Sequence, residues 1–132
     1  MRYVTAEEVA RINVSLVGDG KLLDAGLLAS AVGRPQATFG GEDAYGTLFE
    51  KVAALFESVV LNHAFLDGNK RTAVVAAIHM LNWNGYDLDA PQEDVIDLAV
   101  GIVERTIDLA KSAEFFEVHA VRIDYPRLEE DH

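Results

Sequence analysis

The chain has 132 residues, half of them hydrophobic and a quarter charged, the composition of one globular domain with enough apolar side chains for a core of its own. Its 22 acidic residues outnumber 11 scattered basic ones, for a formal net charge of −11, so the expectation is a protein that does not bind nucleic acid directly. There is no cysteine, which removes disulfides and thiolate metal sites and fits a cytoplasmic setting; no apolar run approaches the roughly 20 residues that span a bilayer, and acidic residues precede the first apolar block, unlike a secretory signal.

Thr5-Ala6-Glu7-Glu8 has the pattern of a capping box and opens a predicted helix through Val9, Ile12 and Leu16, which Gly18-Asp19-Gly20 stops. A second helix is expected from about Leu22 to Val32, entered near Asp24. It turns Leu23, Leu27, Leu28 and Val32 inward, with Gly33 as the left-handed residue beyond its end. Residues 34–43 form the longest irregular stretch, and Phe39 within it is either an exposed functional side chain or one tucked into the core.

From about Ala44 to Asn62 the positions Tyr45, Leu48, Phe49, Val52, Leu55, Phe56, Val59 and Val60 follow helical spacing, with Glu50, Lys51 and Glu57 on the other face. Thr72 to Trp83 is apolar nearly all round, the mark of a buried central helix, and Asn84-Gly85 closes it. Pro91 opens a further helix to about Leu109, and Ser112 N-caps a last short one carrying Phe115, Phe116 and Val118. Residues 124–132 read as a polar, frayed tail. Strand alternation is nearly absent, so the fold class is all-α, one domain over 1–132 built around a buried central helix.

Between the two long helices lies His63-Ala64-Phe65-Leu66-Asp67-Gly68-Asn69-Lys70-Arg71. Phe65 is the natural anchor into the core, which leaves Gly68, Asn69, Lys70 and Arg71 at a helix N-terminus. There, free backbone N–H groups and the positive end of the dipole attract an anion. Arginine grips phosphate oxygens two at a time, and a glycine lets a ligand approach the backbone. Cations in a first helical turn oppose the dipole, a cost that makes sense when an anion binds.

The imidazole of His63 is suited to take a proton from an incoming hydroxyl, and one carboxylate, Asp67, is the usual protein share of a nucleotide-borne magnesium site. Taken singly, each residue also has a structural role: His63 capping one helix, Asp67 the next, Lys70 and Arg71 solvated. A His63/Asp67 transition-metal site lacks nearby ligands, since His79 lies on the buried helix and His119 and His132 near the end. Taken jointly, the set points to transfer of a phosphate-containing group from a nucleotide to a hydroxyl.

The same nine residues resemble the signature of the Fic/Doc superfamily: His, any residue or Pro, Phe, any residue, Asp or Glu, Gly or Ala, Asn, Gly or Lys, Arg. The Leu27-Leu28 helix, Arg34-Pro35, Phe39-Gly40-Gly41, Asn62-His63 and Asn84-Gly85-Tyr86 look like its compact death-on-curing branch. The resemblance implies a compact helical bundle around the motif helix, with ATP as substrate and Mg²⁺ as cofactor. His63 would be the base, Asp67 the metal ligand, and Gly68, Asn69, Lys70 and Arg71 the phosphate site. Thr38 and Phe39 would lie in a flap, 34–41, that aligns the target.

Lys70, where most adenylyl-transferring members carry Gly, implies a Doc-like toxin. Such a toxin passes the terminal phosphate of ATP to a Ser or Thr of a protein target, a translation factor such as elongation factor Tu. Gly68 is more Fic-like, so AMP transfer is the first alternative; the second is a module that binds nucleotide or antitoxin and transfers nothing. Thr38-Phe-Gly-Gly-Glu42 fits only the first part of the family's Ser/Thr-x-x-x-Glu-Gly/Asn inhibitory motif, because Asp43 follows. Control by a separate small antitoxin is therefore implied.

Overall fold

A computed structural model describes residues 1–123; the tail expected over 124–132 lies outside the described residues. Six helices dominate: α1 (Ala6–Val17), α2 (Ala25–Gly33), α3 (Leu48–Asn62), α4 (Asn69–Trp83), α5 (Gln92–Val103) and α6 (Leu109–His119). The all-α expectation holds. Four short strands add two antiparallel ribbons: β1 (Thr38–Phe39) with β2 (Glu42–Asp43), and β3 (Tyr86–Leu88) with β4 (Ala120–Arg122).

The expected helix starts are present with their chemistry. Thr5 forms a reciprocal capping box with Glu8, and Asp24 accepts from the Leu27 N–H at the head of α2; Thr47 forms a second capping box, with Glu50, that the sequence reading did not single out. The α4 helix is central, packed on α3, α1 and α5, while α3 also meets α2 and α6. Ala73, Ala76 and Ala77 are buried where those neighbours close in, and Val74, Met80 and Leu81 fill the gaps. Phe56 of α3 meets Phe116 of α6 edge-on with ring centroids 5.4 Å apart, joining the last helix to the core.

Several boundaries differ from the sequence reading, each for a local reason. Gly33 has φ −78 and stays inside α2, which runs on into a 3₁₀ turn, Arg34–Gln36, with Pro35 near its start. Leu23 and Leu27 are exposed, and Leu28 with Ala31 makes the inner face instead. Tyr45 precedes α3, whose cap is Thr47. The helix expected to run from Pro91 to Leu109 breaks after Val103. Arg105 takes a left-handed φ of 64 there, and Asp108, not Ser112, caps α6 by accepting from the Lys111 N–H. Ser112 is buried inside α6.

Lys51, expected in solvent, is 3 % exposed. Its ammonium donates to Asp43 Oδ2 at 3.0 Å and to the Tyr45 carbonyl. Beside it Arg34 donates to the Tyr45 hydroxyl, Glu57 and Ser58 at 2.7–3.0 Å. These two cations pin the base of the β1–β2 hairpin to α3. Its tip turns at Gly40 and Gly41, both with positive φ, and Phe39 stands 85 % exposed. The 34–43 stretch is thus an anchored hairpin, not a plain loop, and Phe39 is not a core residue.

Candidate active site

His63 ends α3 in the left-handed conformation, φ 49 and ψ 46. That is an uncommon state for a residue with a Cβ, though His adopts it more readily than most. It turns the chain sharply, so that Ala64 and Phe65 are buried while His63 and Leu66 stay exposed. The loop is then held from two sides. The Leu23 and Asp24 N–H groups donate to the Ala64 carbonyl at 2.7 and 3.2 Å, and the Leu66 N–H donates to the Lys21 carbonyl at 2.9 Å. A bridge between Leu22 and Phe65 completes this short antiparallel strap.

From the other side, the buried carboxamide of Asn69 accepts from the Phe65 N–H at 3.2 Å and donates to the Phe65 carbonyl at 2.9 Å. It behaves as a backbone partner for a residue that has no strand neighbour there. Asn69 lines the cavity described below, and its side chain holds the loop with one amide N–H and the carbonyl oxygen, so its backbone N–H and second amide N–H are the donors not used there.

Gly68 precedes α4 with φ 76 and supplies no side-chain cap, so the N–H groups of the first turn are left without the partner that Thr5, Asp24, Thr47 and Asp108 give to other helices. That turn contains no acidic residue and does contain Lys70 and Arg71. Neither makes an ion pair among the described residues. Asp67 accepts from the Gly68 N–H at 2.7 Å through Oδ1, and so does not cap α4 as the structural alternative had it.

The glycine's role also differs from expectation. A Cβ at Gly68 would point away from the site, to 2.7 Å from Val17 Cγ1 and 3.3 Å from Asn13 Nδ2. Its small size lets α1 approach, and the glycine also lines the cavity. Gly68→Ala is therefore expected to cost about 1–3 kcal/mol, from left-handed strain and displacement of Val17. Adding Val17→Ala should return the packing part and leave the strain, as read from urea denaturation midpoints. A double variant no more stable than Gly68→Ala would refute the contact.

The loop and the open helix end face one cavity of about 650 Å³, within the range of small-ligand sites. His63, Asp67, Lys70 and Arg71 supply its polar side; Leu16, Leu66, Val74, Val75 and Ile96 supply an apolar wall. The motif's polar side chains thus line one cavity. Thr38 and Phe39 do not line this cavity; they stand on the separate exposed hairpin. Gln92 and Ile96 of α5, and Leu16 of α1, were missed: Leu16 reads as an apolar helix position, which does not distinguish core from cavity wall, and Gln92 and Ile96 carry no signal in the sequence.

Asp67 uses one carboxylate oxygen within the loop, and no group of three or more His, Cys, Asp or Glu side chains able to hold a metal occurs among the described residues. That donor set fits a hard cation that brings its own phosphate and water ligands, and does not fit a protein-caged transition metal. Also among the described residues, no helix is long and apolar enough to cross a membrane.

A family model described as "Fic/DOC family" matches residues 3–81, which spans α1 through most of α4 and includes His63, Asp67, Lys70 and Arg71 of the cavity. The chain is 44% identical over 110 residues to "Toxin Doc" of Mycolicibacterium smegmatis (strain ATCC 700084 / mc(2)155), covering 81% of this chain and 85% of that protein. It is 32% identical over 119 residues to "Protein kinase doc" of Escherichia phage P1, covering 86% of this chain and 92% of that one.

Proposed function

We propose that this chain, which belongs to the Fic/DOC family, is a Doc-like toxin that transfers the terminal phosphate of ATP to a serine or threonine hydroxyl of a protein target. The observation that carries this reading is the uncapped head of α4 with two cations that make no ion pair among the described residues, opening on the same cavity as an exposed imidazole and a carboxylate. A cationic helix end is unfavourable on its own. It becomes favourable only with an anion, and the base and carboxylate beside it give that anion a reaction.

In this reading the backbone N–H groups of Asn69, Lys70 and Arg71, with the Arg71 guanidinium, bind the nucleotide phosphates. Asp67 would hold a Mg²⁺ carried by the nucleotide, which would supply charge neutralisation at the phosphate oxygens. His63 takes the proton of the target hydroxyl as its oxygen bonds to the terminal phosphorus. The bond from that phosphorus to the bridging oxygen breaks, and ADP leaves. The apolar wall excludes water, which would otherwise compete as acceptor.

The anchored hairpin presents Thr38 and Phe39 to solvent, as a segment that positions a target side chain must. A translation factor is the target class, such as elongation factor Tu, and a separate small antitoxin is the regulator; the names "Toxin Doc" and "Protein kinase doc" of the two relatives support a Doc-type toxin and a kinase respectively. Gly68, the more Fic-like residue, leaves AMP transfer as the first alternative, although a Cβ there would meet Val17 of α1. Lys70 also bears on that choice. Incubation with cell lysate and ATP labelled at either the α or the γ phosphate tests it: label retained from the γ position is expected, and label retained only from the α position would replace kinase by adenylyl transfer.

A further inference from the structure

Asn13 is fully buried in the middle of α1, where a polar amide is costly unless satisfied. Its Nδ2 donates to the Asp67 carbonyl at 2.9 Å and to Thr72 Oγ1 at 3.0 Å, while its Oδ1 has no partner. A carbonyl oxygen only accepts, so the contact with Asp67 itself fixes which way the amide faces. An apolar residue here would avoid the orphaned oxygen, so what the amide nitrogen does must offset it.

Asn13, Leu16 and Val17 share one face of α1 by their spacing, and all three address the motif. Asn13 holds the Asp67 carbonyl, Val17 lies where a Gly68 Cβ would go, and Leu16 lines the cavity. Through Thr72, the residue that closes the first turn of α4 onto the Gly68 carbonyl at 2.8 Å, the same amide grips both sides of the Asp67–Gly68 corner.

We propose that Asn13 is a positioning residue: by clamping the Asp67 carbonyl and Thr72 it sets the distance between the Asp67 carboxylate and the open head of α4, and so the place of a phosphate-bound divalent cation. This rests on the reading of Asp67 as the cation ligand. Asn13 touches neither nucleotide nor target; it acts through Asp67.

The test is calorimetric binding of the non-transferable β,γ-imido analogue of ATP, once with Mg²⁺ and once with EDTA. Wild type binds more tightly with Mg²⁺, and Asp67→Ala loses that increment. Asn13→Leu, which keeps bulk and removes the donor, is expected to lose about ten-fold of the Mg²⁺-dependent affinity, as residues supporting metal ligands commonly do, with the EDTA affinity unchanged. In the Asp67→Ala background the same substitution should change nothing further. If Asn13→Leu does not give a cooperative melt, Asn13→Ala is measured in its place with the same expectation.

An Asn13 variant that keeps the Mg²⁺ increment, or that loses affinity equally with and without Mg²⁺, overturns the proposal while the role of Asp67 stands. A wild type with no Mg²⁺ increment overturns the role of Asp67 and this one with it.

Discussion

His63→Asn is expected to slow transfer by about 10²–10⁴-fold, the usual contribution of a positioned general base, while nucleotide affinity stays within about two-fold of wild type. Asparagine is the informative replacement because His63 has φ 49. Asn tolerates that left-handed state, whereas Ala would add backbone strain to the loss of the imidazole. The carboxamide cannot accept a full proton from a hydroxyl, so chemistry is removed and geometry kept. The measurement is the initial rate of label transfer from γ-labelled ATP, beside calorimetry of ATP binding. Expression in cells should show toxicity falling with the rate. A His63→Asn protein as toxic as wild type would instead support a module that acts by binding alone.

Much of this site was legible from composition along the chain, because its residue types contradict the local helical rules. Cations in a first turn and a polar cluster between two apolar helices are expensive unless function requires them, and so they stand out. Caps at Thr5 and Asp24 were equally readable, since their chemistry is local. What was not legible depends on contacts that only the folded backbone makes, some of them between residues close in sequence. Lys51 looked like a surface lysine because its partners, Asp43 and Tyr45, belong to a hairpin that only the folded chain lays across it.

Asn69 reads as a phosphate ligand in the sequence; that its carboxamide also pairs with the buried Phe65 backbone follows from the left-handed turn at His63 and was not legible. Gly68 looked like a door for ligand; the direction of its absent Cβ toward Val17 is a property of how α1 crosses α4. Asn13 gave no signal at all, as a single asparagine inside an amphipathic helix has no pattern to break. The ribbon of β3 with β4 was missed for a related reason. Each strand is three residues long, and their pairing joins Tyr86–Leu88 to Ala120–Arg122 across two intervening helices.

Arg71→Ala should have opposite signs on binding and on stability, which makes it the sharpest separation of function from fold in this site. The guanidinium stands in the first turn of α4, exposed, with no ion-pair partner among the described residues. Removing a two-pronged phosphate contact forfeits about 3 kcal/mol, at about 1.5–3 kcal/mol per charged hydrogen bond with some rehydration returned, or roughly 100-fold in ATP affinity. The same change relieves a cation at the positive end of a helix and installs the best helix former. The free protein should therefore gain about 0.3–1 kcal/mol in urea denaturation at low salt. A residue kept for folding would lose on both counts. Calorimetry of ATP binding on Arg71→Ala beside His63→Asn completes the comparison, for equal losses of affinity in the two variants would mean that base and phosphate clamp have been assigned to the wrong side chains.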